Sequence, residues 1–177
     1  MATELVVLVD EHDRELGTEE KIAAHKSGRL HRAFSVFVTD PAGRILLQRR
    51  AAGKYHSAGL WSNTCCGHPR PGEAILDAAH RRLQEEMGFD CVLEDNFTFR
   101  YRAELDSGLT EHELDHVVTG TFSGTPRPDP REVAEWRPVP LGELVTDLSR
   151  NPHHYSAWLQ RAVEGLVSRG VLAERSL

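Results

Sequence analysis

Cysteine is scarce in this chain, with three in 177 residues: Cys65 and Cys66 side by side, and Cys91 alone. An odd number so placed makes no disulfide framework and suits a reducing compartment, so the expected setting is cytoplasmic. Positive charge is also in deficit. Against 27 Asp and Glu there are 21 Lys and Arg, a formal net charge of -6, and no basic field is available to follow a nucleic-acid backbone. Long apolar runs are missing too: the stretch at Leu5 to Val9 meets acidic residues at once, and nothing approaches the ~20 residues needed to span a bilayer. Neither a signal peptide nor membrane association is expected. Internal repeats and low-complexity linkers are absent as well, which removes solenoid and tandem-module architectures.

What remains is a chain with 40% hydrophobic residues, enough to bury the core of one domain over residues 1–177 without staples. Leu5 to Val9 reads as a strand, and Thr18 to Lys26 as a short polar segment with a weak helical pattern. Ala33 to Thr39 and Ile45 to Arg49 are β-rich runs around the turn Asp40-Pro41-Ala42-Gly43. Residues 54–72 hold too many Gly, Pro, Ser and Asn for a long regular element, leaving a loop with a short strand at Trp61 to Thr64. Within Glu73 to Met87 the apolar Ile75, Ala79, Leu83 and Met87 recur at helical spacing, and Gly88 is placed to cap that helix. Phe97 to Glu104 and Glu111 to Phe122 form a second hairpin across Asp106-Ser107-Gly108. A strand at Val133 to Val139 and helices near Leu141 to Leu148 and Ser156 to Ser168 complete the chain, with Glu174 to Leu177 frayed. Strands paired in hairpins with a few helices predict an α/β (α+β) fold, a mixed sheet sandwiched by helices, rather than a serial βαβ array.

From Gly67 the chain reads Gly, five residues, Glu73, seven residues, then Arg81-Arg82-Leu83-Gln84-Glu85-Glu86-Met87-Gly88-Phe89. This resembles the Nudix box: Gly, five residues, Glu, seven residues, Arg-Glu, an aliphatic, any residue, Glu-Glu, any residue, Gly and an apolar residue. Arg82 stands where the family has Glu. Mg²⁺ prefers carboxylates, waters and phosphate oxygens, so Glu86 on such a helix can bridge the ion to a diphosphate. The plainer reading is a solvated face, on which Asp77–Arg81, Arg81–Glu85 and Arg82–Glu86 are i,i+4 pairs of ~0.3 to 0.5 kcal/mol each. An arginine cannot serve as a base at neutral pH. Arg82 therefore implies a helix that grips a diphosphate without the full apparatus for cutting it.

A second resemblance is narrower. Trp61-Ser62-Asn63-Thr64-Cys65-Cys66-Gly67-His68-Pro69 is similar to the active-site signature of the type 1 isopentenyl-diphosphate isomerases, which share the Nudix fold. Further matches lie at Thr110-Glu111-His112-Glu113, Ala24-His25, Leu30-His31, Arg49-Arg50 with Lys54, Arg100-Tyr101-Arg102 and Ser156-Ala157-Trp158, so the likeness spans roughly residues 4–164. It implies a Nudix-like core over about residues 30–164, with the segment 1–29 adding metal and substrate ligands. It also implies that Cys66 and Glu113 exchange protons with the alkene of a small homoallylic or allylic diphosphate. Tyr101 would hydrogen-bond near Glu113, and Lys21, Arg50, Lys54 and Arg82 would neutralise the diphosphate. Trp158 would face the cationic carbon.

The chemistry suits those residue types. Moving an unactivated double bond needs a proton donor and a proton acceptor, and a cysteine of ordinary pKa ~8.5 is mostly thiol at neutral pH. In a strand, Glu111 and Glu113 share one face with Cα atoms about 7 Å apart. The resemblance adds His25, His31 and His68, and imidazoles with carboxylates suit Mn²⁺ or Zn²⁺, while Mg²⁺ would sit with Glu86 and the diphosphate. His12, His56, His80, His112, His116, His153 and His154 match nothing and read as ordinary structural histidines, as Cys65 and Cys91 read as structural thiols and Trp61 and Trp136 as core. The alternatives are a Nudix hydrolase of a diphosphate-linked substrate, and a non-catalytic metal or diphosphate-binding module. A monomer or weak homodimer is expected.

Overall fold

A computed structural model describes residues 3–172; the expectation for Glu174 to Leu177 falls outside them. Among the described residues, nine strands form a mixed sheet with helices on both faces. The strand β3 (His31–Thr39) lies at its centre, since eight of its nine residues are buried. It runs parallel to β8 (Thr110–Thr121), with His31 opposite Glu113. It runs antiparallel to β6 (Cys65–Gly67), with Ser35 opposite Cys66. Both candidate proton-transfer residues thus sit on strands bonded to the same one.

Side chains of β3 alternate between two cores, as the strand period requires. Phe34, Val36 and Val38 pack with Ala78, Ala79, Leu83 and Met87 of α2 (Ile75–Met87). Phe37 packs on the other face with Leu144 and Leu148 of α3 (Leu141–Arg150) and Leu159, Val163 and Leu166 of α4 (Leu159–Ser168). Two apolar layers clamp one sheet, the sandwich that the pattern of elements predicts. The remaining strands are β1 (Leu5–Val9), β2 (Glu15–Glu20), β4 (Ile45–Arg50), β5 (Trp61–Ser62), β7 (Leu93–Glu104) and β9 (Val133–Val139). The expected turn at 40–43 does join β3 to β4, with Gly43 N–H bonded to Asp40 O at 2.9 Å.

Several boundaries differ from the sequence reading. The polar run Glu-Leu-Gly-Thr-Glu-Glu at 15–20 is an edge strand, β2, paired only with β1; an edge strand needs little apolar surface and so carries no hydrophobic alternation. The helix expected from Thr18 starts at Lys21, because the Glu20 side chain accepts the Ile22 and Ala23 N–H groups and caps α1 (Lys21–Ser27). The single strand expected at Trp61 to Thr64 is instead split into β5 and β6. Thr64 Oγ accepts the Val38 N–H at 2.8 Å and donates to Leu46 O at 2.7 Å, so a side chain replaces the ladder between them. Strand β7 begins at Leu93 rather than Phe97, across a bulge at Asp95/Phe97. Two later helix starts move as well, while α3 begins at Leu141 as expected: α2 begins at Ile75, and α4 at Leu159.

Gly88 ends α2 at φ 69°, donating its N–H to Gln84 O. A Cβ there would lie 2.1 Å from Arg127 O, whereas at Gly72, with φ +78°, a Cβ would meet nothing within 4 Å. Gly72→Ala should therefore cost only the left-handed strain of about 1–2 kcal/mol, and Gly88→Ala clearly more. Urea unfolding of the two variants against the parent checks the order.

Candidate functional site

One cavity of about 750 Å³ opens beside β6, β8 and α2 and is lined by Cys66, Glu111, Glu113, Glu86, Arg82 and Trp158 among others. Its inner end is acidic and histidine-rich, and its outer end is cationic.

At the inner end, strand alternation along β8 turns Glu111, Glu113 and Asp115 to one side, and all three are buried. Donor atoms of His25, His31, His68 and Glu113 lie within 4.8 Å of one another. The His25 Nδ1 stands 2.7 Å from Lys21 O and the His31 Nδ1 2.8 Å from Arg29 O. A carbonyl only accepts, so both Nδ1 atoms carry a proton, and in the neutral ring each Nε2 is the lone-pair nitrogen. Those Nε2 atoms are buried with no hydrogen-bond partner among the described residues. His68 Nε2 is 2.9 Å and His31 Nε2 3.4 Å from Glu113 Oε1. Burial favours the neutral form of two of these rings, pushing His68 down to about 4 and His25 below its usual range. An anionic carboxylate ringed by orphaned nitrogen lone pairs is a donor set that a divalent cation completes.

Burial acts to raise the Glu113 carboxyl, but the imidazoles of His31 and His68 outweigh it and hold the group well below the ordinary range. Glu111 moves the other way, raised by burial and then by the Glu113 charge. Tyr101 spans the two, its hydroxyl 2.6 Å from Glu113 Oε2 and 3.0 Å from Glu111 Oε2. With its single proton the phenol serves the anion, Glu113. Below them Asp115, also raised by burial and then by Glu113, accepts from Ser35 Oγ at 2.7 Å.

Cys66 is half-buried in the cavity wall, with Arg50 Nη1 3.8 Å from its sulfur. Burial pushes the thiol up to about 12 although Arg50 pulls the other way. It is a thiol at neutral pH, more firmly than an unperturbed cysteine. Cys65 beside it is fully buried in the α2 core, and Cys91 packs at the edge of that core, as the sequence reading has them.

The outer end is built from paired cations. Arg82 bonds Glu85 at 2.6 Å and Glu86 in a shorter contact, and Glu86 is further held by Gln48 Nε2 at 2.8 Å. Lys54 pairs with Glu132, and Lys21 with Glu4 at 3.0 Å. Arg50 donates to His56 O at 3.2 Å and lies 5.6 Å from the Trp158 ring, while its buried Nε has no partner. Trp158 is fixed by Asn63, which accepts its indole N–H at 2.9 Å.

Of the site residues that the sequence singled out, all but His25, His31 and Tyr101 line this cavity; those two histidines join His68 and Glu113 in the cluster, and Tyr101 bonds Glu111 and Glu113, with one division. Glu111 does not share the donor set of Glu113; its oxygen groups with His25 and His56 within 4.8 Å. His56, read as an ordinary structural histidine, faces Glu111 at 3.3 Å. No motif could have flagged it, because it follows Lys54 in an irregular loop with no period. Arg70 and Arg131 also line the cavity unforeseen. The Asp77–Arg81 pair expected on the helix surface gives way to Arg81–Glu73 at 2.7 Å, with Arg81–Glu85 at 3.6 Å kept. Trp61 and Trp136 are half-buried against the two cores.

Residues 29–161 match the NUDIX domain family. The chain is 55% identical to isopentenyl-diphosphate Delta-isomerase 2 of Aromatoleum aromaticum over 92% of its length and 86% of that protein's. It is 52% identical to the isopentenyl-diphosphate Delta-isomerase of Burkholderia multivorans over 91% of this chain and 92% of the relative. Among solved structures, the DR0079 protein of Deinococcus radiodurans shares the fold at TM-score 0.77 with 17% identity, covering 92% of this chain and 98% of that one. With a box helix, a Cys-His loop and a carboxylate strand meeting at one cavity, and relatives of this identity over nearly the full length, the chain belongs to the NUDIX domain family and, within it, to the isopentenyl-diphosphate Delta-isomerases.

Proposed function

We propose that this chain converts isopentenyl diphosphate to dimethylallyl diphosphate by proton transfer between Cys66, Glu113 and the substrate. The observation that carries the reading is that a protonated thiol and an anionic carboxylate wall the same cavity. One group adds a proton to the terminal alkene carbon, leaving a tertiary cation at C3. The other removes a proton from C2, whose bonding electrons form the new double bond. Proton count and charge are unchanged overall, as an isomerisation requires. Tyr101, bonded to Glu113, holds that carboxylate in place.

His25, His31, His68, Glu111 and Glu113 would hold Mn²⁺ or Zn²⁺, and Mg²⁺ would join Glu86 to the diphosphate. Such ions supply fixed positive charge that lowers the proton affinity of a bound carboxylate and neutralises phosphate oxygens. Lys21, Arg50, Lys54 and Arg82 would exchange their present carboxylate and carbonyl partners for those oxygens. The Trp158 ring would face the cationic carbon, worth up to ~2 kcal/mol when desolvated. A closed, dry cavity matters because water would trap that cation as an alcohol. On this reading the segment 1–29 lends Lys21 and His25 to a Nudix-like core of roughly residues 30–164. All these groups come from one chain, so a monomer or weak homodimer suffices, and unpaired thiols at Cys65, Cys66 and Cys91 support a cytoplasmic setting. Arg82, paired with Glu86 where a hydrolase has glutamate, argues against cleavage.

Incubated with isopentenyl diphosphate and Mg²⁺ in D₂O, the protein should give dimethylallyl diphosphate carrying deuterium by NMR; unlabelled product, or phosphate release alone, overturns the reading. Cys66→Ala and Glu113→Gln should each lower kcat by at least ~100-fold with unchanged unfolding midpoints. Since the Cys66 thiol is pushed up to about 12, its thiolate is nearly absent at pH 8. Peptide mapping should accordingly find its iodoacetamide labelling at pH 8 at least ~10-fold slower than that of free cysteine.

A further inference from the structure

His56 has no role in the chemistry above, yet it is 6% exposed and lies in the cavity wall. Its Nε2 is 3.3 Å from Glu111 Oε1 and its Nδ1 3.1 Å from Ser57 Oγ. A neutral imidazole has one N–H and one lone pair, and an ionised carboxylate only accepts. With Glu111 bound to a cation as a carboxylate, Nε2 therefore carries the proton and Nδ1 accepts from the Ser57 hydroxyl. His56 at Oε1 is then a donor to the Glu111 carboxylate, while Oε2 lies 3.0 Å from the Tyr101 oxygen, whose single proton serves Glu113.

The backbone is bent to aim this ring. Ser57 takes φ 51°, a left-handed conformation that costs a non-glycine residue about 1 kcal/mol or more. Arg50 secures the turn by donating to His56 O at 3.2 Å. The imidazole is wedged edge-on between Tyr55, at 4.3 Å between ring centroids, and Trp158, at 6.1 Å. One of its ring nitrogens also lies within 4.8 Å of a ring nitrogen of His25, a member of the other donor set. Glu111 and His56 thus adjoin the place where the lone pairs of His25 and His31 converge.

We propose that His56 is a positioning residue of the metal centre: it turns the Glu111 carboxylate toward the ion and thereby sets how tightly the ion is held. The inference rests on the reading of His25, His31, His68, Glu111 and Glu113 as ligands. Because its Nε2 proton is committed to Glu111, His56 acts through that carboxylate and does not bind the ion itself. Hydrogen-bond partners of this kind typically change metal affinity 10- to 100-fold.

The test uses the full chain, stripped by a chelator and titrated with Mn²⁺, with free ion followed by electron paramagnetic resonance. His56→Leu should raise the Mn²⁺ Kd about 10- to 100-fold, and His56→Gln, whose amide N–H can still reach Glu111, should restore most of the loss. The number of imidazole nitrogens coupled to bound Mn²⁺ should be the same in parent and His56→Leu. If the Leu variant does not fold, His56→Asn, whose shorter amide stops short of Glu111, replaces it against His56→Gln. Parental affinity in the Leu variant, failure of Gln to rescue, or a fall in the nitrogen count each overturns the positioning role. His31→Ala separates the two levels: if it binds Mn²⁺ like the parent, or if the parent itself does not bind, the ligand reading fails and takes this inference with it.

Discussion

Keeping Glu113 buried and anionic is the constraint on which the rest of the cavity depends. Taking a carboxylate out of water costs several kcal/mol even after relaxation, and here the surroundings are arranged to offset it. His68 and His31 stand against one oxygen and the Tyr101 hydroxyl against the other. Parallel pairing of β3 with β8 sets His31 opposite Glu113, so the compensation is fixed by sheet register and not by loop conformation. A one-residue slip would turn Glu111, Glu113 and Asp115 to the opposite face and bring His112, Leu114 and His116 to the side of the histidine cluster.

That anion orders its neighbours. Its charge, added to burial, raises Glu111 and Asp115, so three carboxyls along one strand do not all ionise together without a cation. Divalent metal use, which the family implies, would answer the same electrostatic difficulty: an ion held as proposed would let Glu113 and Glu111 be charged at once and would give the His25 and His31 Nε2 atoms a partner. At the other end of the cavity the signs reverse. Arg82 neutralises Glu86 inside the helix that Nudix hydrolases use for cleavage. On the proposed reading the box is thereby turned toward holding an anion, while the chemistry falls to Cys66 and Glu113.

Much of this was legible in the residue order because short-range physics produced it. The i, i+4 apolar spacing of α2, its Gly88 cap, the alternation of Glu111 with Glu113 and the hairpin turn at 40–43 are local matters of period and dihedral angle. Other elements could not be read for equally physical reasons. Strand β2 exists only because β1 offers it a ladder, and the break between β5 and β6 only because Thr64 reaches Val38 and Leu46. Of the four cations expected to neutralise a diphosphate, Lys21, Lys54 and Arg82 are paired with Glu4, Glu132, Glu85 and Glu86, partners that sequence spacing reveals only for the two on α2.

By itself, then, the sequence determined the family, the box helix, the Cys66 loop and the common face of Glu111 and Glu113, since each is written in contiguous residues with fixed spacing. Only the tertiary structure decided which carboxyl is the anion, how far burial lifts the Cys66 thiol, and that His56 rather than another histidine meets Glu111. Those outcomes depend on burial and on charges brought together from β3, β8 and the loop before β5, and electrostatic energies fall off with distance in space, which spacing along a chain does not contain.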